Sequence, residues 1–237
     1  MTLTNMKRAT RFPVLRSVPK FLSATIMGLS FLSQAALAAD SKEQWKAKQL
    51  WNLCSQCHGD SGEGKQIIGA PAIAGMPEWY ILAQLTKYKS GARASHPRDY
   101  VGLRMRPMAR HLKDNEIPII AAYTAALPVP PIKDTVIGNP LRGEKSYQVC
   151  ISCHGAEGLG NKDIGSPPLV TTNDWYLYGQ LKHFKASIRG GNAEADPMGA
   201  SMVGMANTLA DDQAMLDVVA YINTLRPVAA AKAPQGH

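Results

Sequence analysis

Apolar residues recur every three to four positions in several stretches of the chain, a spacing that predicts amphipathic helices. One stretch lies between Pro77, which suits the first turn of a helix, and Gly91, which suits its end. Its apolar face consists of Ile81, Leu82, Leu85 and Tyr88. A second stretch follows Asn173 or Asp174, either of which suits the N-cap. Its apolar face consists of Leu177, Tyr178, Leu181, Phe184 and Ile188. No alternating strand pattern surrounds the cysteines at 54–57 or at 150–153. The chain is therefore predicted to be all-α.

The same order of features occurs twice along the chain. At an offset of 96 residues Pro71 matches Pro167, Trp79 matches Trp175, Tyr80 matches Tyr176 and Gln84 matches Gln180. At an offset of 97 residues Met105 matches Met202 and Met108 matches Met205. Self-similarity of this kind indicates a duplicated domain.

Each repeat closes on a further helix, predicted at Asp114 to Leu127 and at Asp211 to Leu225, with the aspartates as N-caps. Pro118 fits this prediction only if its helix begins late enough to place the proline in the first turn. Between the repeats, residues 127–131 read Leu-Pro-Val-Pro-Pro, a stiff extended spacer. We therefore expect one domain at 39–131, a second at 132–227 and a disordered tail at 228–237.

The amino-terminal segment differs from the rest of the chain. Residues 1–39 contain five basic residues and no acidic ones, and an apolar run from Phe21 ends in Ala36-Leu37-Ala38. This composition predicts a secretory signal peptide at 1–38 and export to the periplasm. An uncleaved anchor with peripheral membrane association is the alternative, because 21–39 is almost long enough to span a bilayer.

Charge excludes one class of function. The chain has a formal net charge of +8, and removing the five basic residues of the leader lowers it to +3. A nucleic-acid-binding protein would need a basic stripe on the mature chain, and none is evident. We expect no nucleic-acid partner.

Two C-x-x-C-H motifs indicate the chemistry of the chain. They are formed by Cys54, Cys57 and His58 and by Cys150, Cys153 and His154. Two cysteines three positions apart can bond both vinyl groups of one porphyrin, while the adjacent histidine reaches its iron. The motifs therefore predict two covalently bound haem c groups, with a histidine as one axial ligand of each iron.

Zinc binding and thiol redox chemistry are the alternatives to haem attachment. A zinc site needs a second ligand pair nearby, and the next cysteine after Cys57 lies 93 residues away. A thioredoxin-like centre needs a βαβ context. The histidine that follows both motifs favours haem. Because all four cysteines are used, none remains for a disulfide, a thiolate iron ligand or a nucleophile.

Several side chains compete for the second axial position of each iron. The candidates are Met105, Met108, His96 and His111 in the first repeat and Met198, Met202, Met205 and His183 in the second. Only the pairs Met105/Met202 and Met108/Met205 occupy equivalent positions in both repeats, which favours methionine and leaves both pairs open. A thioether ligand stabilises Fe(II) and suits an electron carrier.

Residues 45–226 resemble the dihaem class I cytochromes of the cytochrome c4 type. The similarity rests on the two C-x-x-C-H motifs, a Pro-x-(Leu/Ile) after each, a W/Y-Y-x-x-x-Q-L helix and a Met-x-x-Met-x-x-x-Leu before the last helix. It implies two tandem cytochrome c-like domains, each a few helices wrapped around a covalent haem. The second repeat departs from the pattern at 167–170, where Pro-Pro-Leu-Val lacks the usual glycine.

The same resemblance implies roles for individual residues. The family's ligand methionine lies seven residues before the leucine that opens the last helix, which implies Met105 and Met202 and leaves Met108 and Met205 as alternatives. The family also uses the carbonyl of the loop proline to hold the histidine N–H. This implies such contacts for Pro71 and Pro167.

The expected function is one-electron transfer by a periplasmic dihaem carrier that is not an enzyme and has no small-molecule substrate. The expected donor is a quinol-oxidising complex or a dehydrogenase, and the expected acceptor is a terminal oxidase. The alternative is a dedicated cytochrome subunit of a periplasmic dehydrogenase complex. An enzyme acting at an open haem is disfavoured, because each repeat offers a methionine and no cysteine is left for thiolate ligation.

A basic cluster near the first methionine segment has three interpretations. Its members are Lys87, Lys89, Arg93, Arg104, Arg106 and Arg110. It is a solvated surface, a docking surface for an acidic redox partner, or positive charge that balances haem propionates.

Overall fold

The computed structural model describes residues 42–227, and the regular secondary structure of this part of the chain is helical. The first repeat contains α1 (42–58), α2 (Glu78–Ser90), α3 (Tyr100–His111) and α4 (Glu116–Ala126). The second contains α5 (Pro140–Tyr147), α6 (Ile151–His154), α7 (Asp174–Lys185), α8 (Pro197–Asn207) and α9 (Asp212–Thr224). The all-α prediction is confirmed. The predicted signal peptide and carboxyl-terminal tail lie outside the described residues.

Each repeat has its own apolar core. In the first, Trp51 of α1, Leu85 of α2 and Ile120 of α4 are buried together. In the second, the fully buried Tyr147 of α5 packs against Val218 and neighbouring residues of α9. Helices α5 and α9 cross closely, because a Cβ atom at Gly143 would lie 1.9 Å from the carbonyl oxygen of Asp217. Each domain is thus a helical bundle with its own core. No described helix has the length and hydropathy to cross a membrane.

The observed ends of α2 and α4 can be compared with the ends predicted from local sequence. Helix α2 begins after Pro77 and ends at Gly91 in the left-handed conformation, as predicted. Helix α4 begins at Glu116 with Asn115 at the N-cap, so the prediction of Asp114 as its cap was wrong. Asp114 instead pairs with Lys89 Nζ at 2.6 Å. The late start places Pro118 in the first turn, where its missing N–H leaves no helical hydrogen bond unmade.

Both methionine segments are helices, α3 and α8, although the apolar spacing of the sequence predicted no helix there. Asp99 accepts a 2.9 Å hydrogen bond from Gly102 N at the start of α3, and Asp196 accepts one of 2.9 Å from Gly199 N at the start of α8. These caps satisfy amino-terminal N–H groups of each helix. Both glycines are required sterically, because a Cβ on either would lie within 2.3 Å of the capping carboxylate.

Arg93 of the first domain reaches into the second. Its Nη1 donates to Gln84 Oε1 at 2.7 Å, and its Nη2 donates to the hydroxyl of Tyr176 at 2.6 Å and to Gln180 Oε1 at 3.1 Å. The arginine is only 6% exposed. It is therefore part of the contact between domains and is not a solvated side chain.

Arg189, the counterpart of Arg93 at an offset of 96, makes the reciprocal contacts. Its Nη1 donates to Gln180 Oε1 at 2.7 Å, and its Nη2 donates to Gln84 Oε1 at 3.2 Å and to the Tyr80 hydroxyl at 3.4 Å. Each arginine thus bonds the glutamine of its own domain and a tyrosine of the other. The contact is pseudo-symmetric, as expected when duplicated domains associate through the same surface.

A second pair of equivalent contacts flanks the arginines. Lys87 Nζ lies 2.6 Å from Asp196 Oδ1, while His183 Nδ1 lies 3.7 Å from Asp99 Oδ1. Lys87 and His183 are equivalent in the repeat, and so are the two helix-capping aspartates. The two contacts differ in chemistry, because one uses an ammonium group and the other an imidazole whose pKa is lowered by burial.

Candidate haem sites

A cavity lined by both domains contains most of the predicted haem-binding residues. Its walls include Cys54, Cys57 and His58 from the first motif and Cys150 and His154 from the second. Cys153, the remaining motif cysteine, is half-buried and directly precedes His154 in α6. The two motifs therefore open onto one continuous space.

Both motif histidines are held in the same way. His58 Nδ1 lies 2.7 Å from Pro71 O, and His154 Nδ1 lies 2.8 Å from Pro167 O. A carbonyl oxygen can only accept, so Nδ1 carries the proton and Nε2 keeps its lone pair. Burial lowers the pKa of each imidazole against the raising effect of its carbonyl partner, which favours the neutral, metal-binding form.

Burial also changes the pKa of two of the motif thiols. It raises the pKa of Cys54 to about 11 and that of Cys150 to about 11. Neither thiol has the lowered pKa of a nucleophilic or redox-active cysteine. The environment of these residues therefore gives no support to the thiol redox alternative.

The methionines of α3 and α8 line the same cavity as the histidines. Met105 and Met202 are half-buried, and Met105 packs against the core of its domain. Met108 and Met205 are more exposed, at 36% and 39%. The competing side chains of His96, His111 and His183, all within the described residues, are not among those that form its walls.

The remaining lining fits a porphyrin with two acidic substituents. Leu85, Ile120, Leu177 and Ile222 contribute apolar surface from the two domains. Arg93 and Arg189 also line the cavity, and the Nε atom of each is buried without a hydrogen-bond partner. A buried unpaired donor is costly, and a propionate carboxylate would satisfy it.

The members of the predicted basic cluster have different partners in the structure. Arg93 and Lys87 face the other domain, while Lys89 pairs with Asp114. Arg104 donates from Nη2 to the carbonyl oxygen of Ile68 at 2.5 Å. The interpretation as one solvated face was therefore wrong for Arg93 and Lys87. The repeat shows that Arg93 and Arg189 are equivalent, but it does not show which surface they contact.

Known proteins share both the sequence pattern and the fold. A family model described as cytochrome c matches residues 45–127 and 141–226. A thiosulfate dehydrogenase electron acceptor from Stutzerimonas stutzeri is 32% identical over 77% of this chain and 85% of its own. A cytochrome c4 from Thiocapsa roseopersicina is 32% identical over 68% of this chain and 81% of its own. The crystal structure of reduced cytochrome c4 from Pseudomonas stutzeri aligns with a TM-score of 0.58 at 28% identity, covering 76% of this chain and 96% of that one.

Two helical domains with equivalent C-x-x-C-H motifs define a class of protein, the dihaem electron carriers. The chain belongs to the cytochrome c family and is of the dihaem cytochrome c4 type. Two covalently bound haem c groups are its cofactors, as the two motifs predict. Its function is electron transfer, and its partners are redox proteins.

Proposed function

We propose that His58 and Met105 hold one iron and that His154 and Met202 hold the other, with the motif cysteines forming the thioether bonds to each porphyrin. The proposal is supported by one repeated arrangement, a histidine bonded through Nδ1 to a proline carbonyl and facing a cavity that a half-buried methionine also lines. Imidazole and thioether donors suit haem iron that accepts and releases electrons.

The protein residues keep each site fixed while the electron moves. Haem c supplies a single-electron Fe(III)/Fe(II) couple when bound. Pro71 and Pro167 orient the histidine rings, and the apolar walls exclude water, which limits rearrangement between oxidation states. With one histidine and one methionine holding each iron, no site would remain there for a small molecule, and the protein would serve as a carrier and not as an enzyme.

The proposed setting is the periplasm, after removal of residues 1–38. The proposed donors are a quinol-oxidising complex or a dehydrogenase, and the proposed acceptor is a terminal oxidase. Lys65, exposed beside the first haem motif, and the exposed Arg104 and Arg110 of α3 leave positive charge on the first domain for an acidic partner.

A second candidate function is that of a dedicated electron acceptor for one periplasmic dehydrogenase. It is favoured by the similarity to the thiosulfate dehydrogenase electron acceptor of Stutzerimonas stutzeri. Size-exclusion chromatography of the native protein separates the two candidates, because a dedicated subunit co-elutes with its enzyme while a free carrier elutes alone.

Carbon monoxide tests the proposed ligation directly. The reduced protein, titrated with carbon monoxide at neutral pH, is expected to keep its visible spectrum unchanged, since a histidine and a methionine would leave no open position on either iron. A control with Met105→Gly should bind carbon monoxide at one haem per chain. Binding by the unsubstituted protein would contradict the proposal and favour an enzyme with an open haem.

A further inference from the structure

Asn173 of the second domain contacts the peptide group that holds the histidine of the first. Ala72 N donates to Asn173 Oδ1 at 2.6 Å, and both residues are buried. The N–H of Ala72 and the carbonyl of Pro71 belong to the same amide. That carbonyl accepts from His58 Nδ1 at 2.7 Å. One continuous chain of hydrogen bonds therefore runs from the His58 imidazole, through a single amide, to a side chain of the other domain.

The orientation of the Asn173 side chain is fixed by its two partners. Its Oδ1 faces a backbone N–H, which can only donate, and its Nδ2 donates to the carbonyl of Glu63 at 3.3 Å. Gly64 makes this approach possible, because a Cβ there would lie 2.6 Å from Asn173 Oδ1. Asn173 occupies the N-cap position of α7, yet its side chain makes no capping bond. Its contacts are thus directed to the first domain.

The second domain has no equivalent of this series of hydrogen bonds. The residue equivalent to Ala72 is Pro168, so the amide that carries the Pro167 carbonyl has no N–H. His154 Nδ1 still donates to Pro167 O at 2.8 Å, but the series of hydrogen bonds ends at that amide. The two histidines therefore have matching first partners and different second partners.

Hydrogen bonds in series polarise one another. An amide that donates through its N–H is a stronger acceptor at its carbonyl, and a stronger acceptor at Nδ1 makes the imidazole a better donor to a metal. A better donor stabilises Fe(III) relative to Fe(II). This effect acts on His58 and is absent at His154.

We propose that Asn173 is a positioning residue that lowers the reduction potential of the first haem relative to its value without this contact. The proposal rests on the ligand role given to His58 under the proposed function. A residue of the second domain thus affects the reduction potential of the first haem. No residue of the first domain affects the second haem in this way, because the Pro167–Pro168 amide has no N–H. The association of the domains thereby lowers one potential by a contact that has no counterpart at the other haem.

Asn173→Leu tests the proposal, because leucine has a similar volume, offers no acceptor and leaves little room for water. The holoprotein is titrated spectroelectrochemically, and the wave of the first haem is identified as the one that Met105→His displaces. The expected result is a shift of that wave to more positive potential with the second wave unchanged. In the ferrous protein the exchangeable His58 Nδ1–H proton should move upfield in the NMR spectrum.

Thr172→Val is the matched control. Thr172 donates to the next carbonyl, Ala72 O, at 3.2 Å and is also buried between the domains, but it does not bond the Pro71–Ala72 amide. This variant should leave both waves and the His58 proton in place. Equal shifts in the two variants would mean that loosened domain contacts are responsible and would overturn the proposal, as would no shift in Asn173→Leu. If Met105→His displaces neither wave, the ligand assignment fails instead.

Discussion

Arg93 of the first domain donates a 2.6 Å hydrogen bond to the hydroxyl of Tyr176 in the second. The equivalent bond in the other direction, from Arg189 to Tyr80, measures 3.4 Å. The pseudo-symmetric interface is therefore unequal in its two halves. Because a bond to a charged donor contributes more when it is short, the two tyrosine hydroxyls should differ in their contribution to stability.

Tyr176→Phe should lower the free energy of unfolding by about 1.5–3 kcal/mol, since a buried charged donor loses the shorter of its two hydrogen bonds. Tyr80→Phe, its matched control, should cost less than about 1 kcal/mol, because the bond it removes is already long. Guanidinium unfolding of the two holoproteins under identical conditions measures both values. A larger loss for Tyr80→Phe would contradict the described geometry.

Asp174 anchors the start of the second domain. This fully buried carboxylate accepts from Thr135 N at 2.5 Å, from Val136 N at 2.7 Å and from Asn223 Nδ2 at 3.1 Å. Asp174→Asn replaces an acceptor with a group that also donates and should cost on the order of 2–4 kcal/mol. It should also speed proteolysis within 128–139.

The neighbouring Asp134 is the control for that substitution. It pairs with Arg226 but is 59% exposed on its side chain. Asp134→Asn should change the free energy of unfolding by no more than about 1 kcal/mol, the usual range for a surface ion pair. Similar losses at Asp134 and Asp174 would show that burial of the carboxylate does not matter here.

Asp217 gives the second domain a measurable pH dependence. The hydrogen bond from Arg142 Nε, 2.6 Å long, lowers the pKa of Asp217 to about 2 from 3.8, outweighing the opposing effect of burial. A lowered carboxyl pKa stabilises the fold above the unfolded value and loses that effect as pH falls through the folded value. The stabilisation is therefore complete above about pH 4 and disappears towards pH 2.

Asp217→Asn should consequently be less stable than the parent by about 1–3 kcal/mol at pH 6. The difference should shrink as the pH falls from 4 towards 2. Urea unfolding of both proteins at a series of pH values between 6 and 2.5 measures it. A difference independent of pH would show that the ionised carboxylate is not responsible.

Haem attachment should be needed for the folding of each domain. The units have short helices, long loops and small cores of their own, so the porphyrin provides much of the buried apolar surface. Replacing Cys54 and Cys57 by alanine should leave one haem per chain and reduce the helical circular dichroism by about half. Limited proteolysis should then cleave within the first domain.

The mirror variant, with Cys150 and Cys153 replaced by alanine, serves as its control. It should leave the first domain resistant and expose the second to protease. Full helicity and protease resistance in either variant would show that a domain folds without its cofactor.

Much of this arrangement follows from local sequence. The offset of 96 identified the duplicated domains, and Pro77 and Gly91 placed both ends of α2 correctly. Helices α3 and α8 were missed because Pro107 and several glycines weaken their helical pattern. The aspartates that cap both helices were the overlooked signal.

Contacts between the domains could not be predicted in the same way. From the sequence, Asn173 was a candidate helix cap. Its side chain instead accepts a hydrogen bond from a loop 101 residues away, which local sequence does not show. Arg93 looked like a surface residue because nothing local shows that Tyr176 lies beside it. Tertiary packing determines such roles, and neither propensity nor periodicity contains that information.

The proposed carrier function depends on one histidine and one methionine holding each iron. Near-infrared magnetic circular dichroism of the oxidised protein detects the methionine through its sulfur-to-iron charge-transfer band. Met105→His and Met202→His should each remove about half of that band, and the double variant should remove all of it. An undiminished band in both single variants would contradict the assignment.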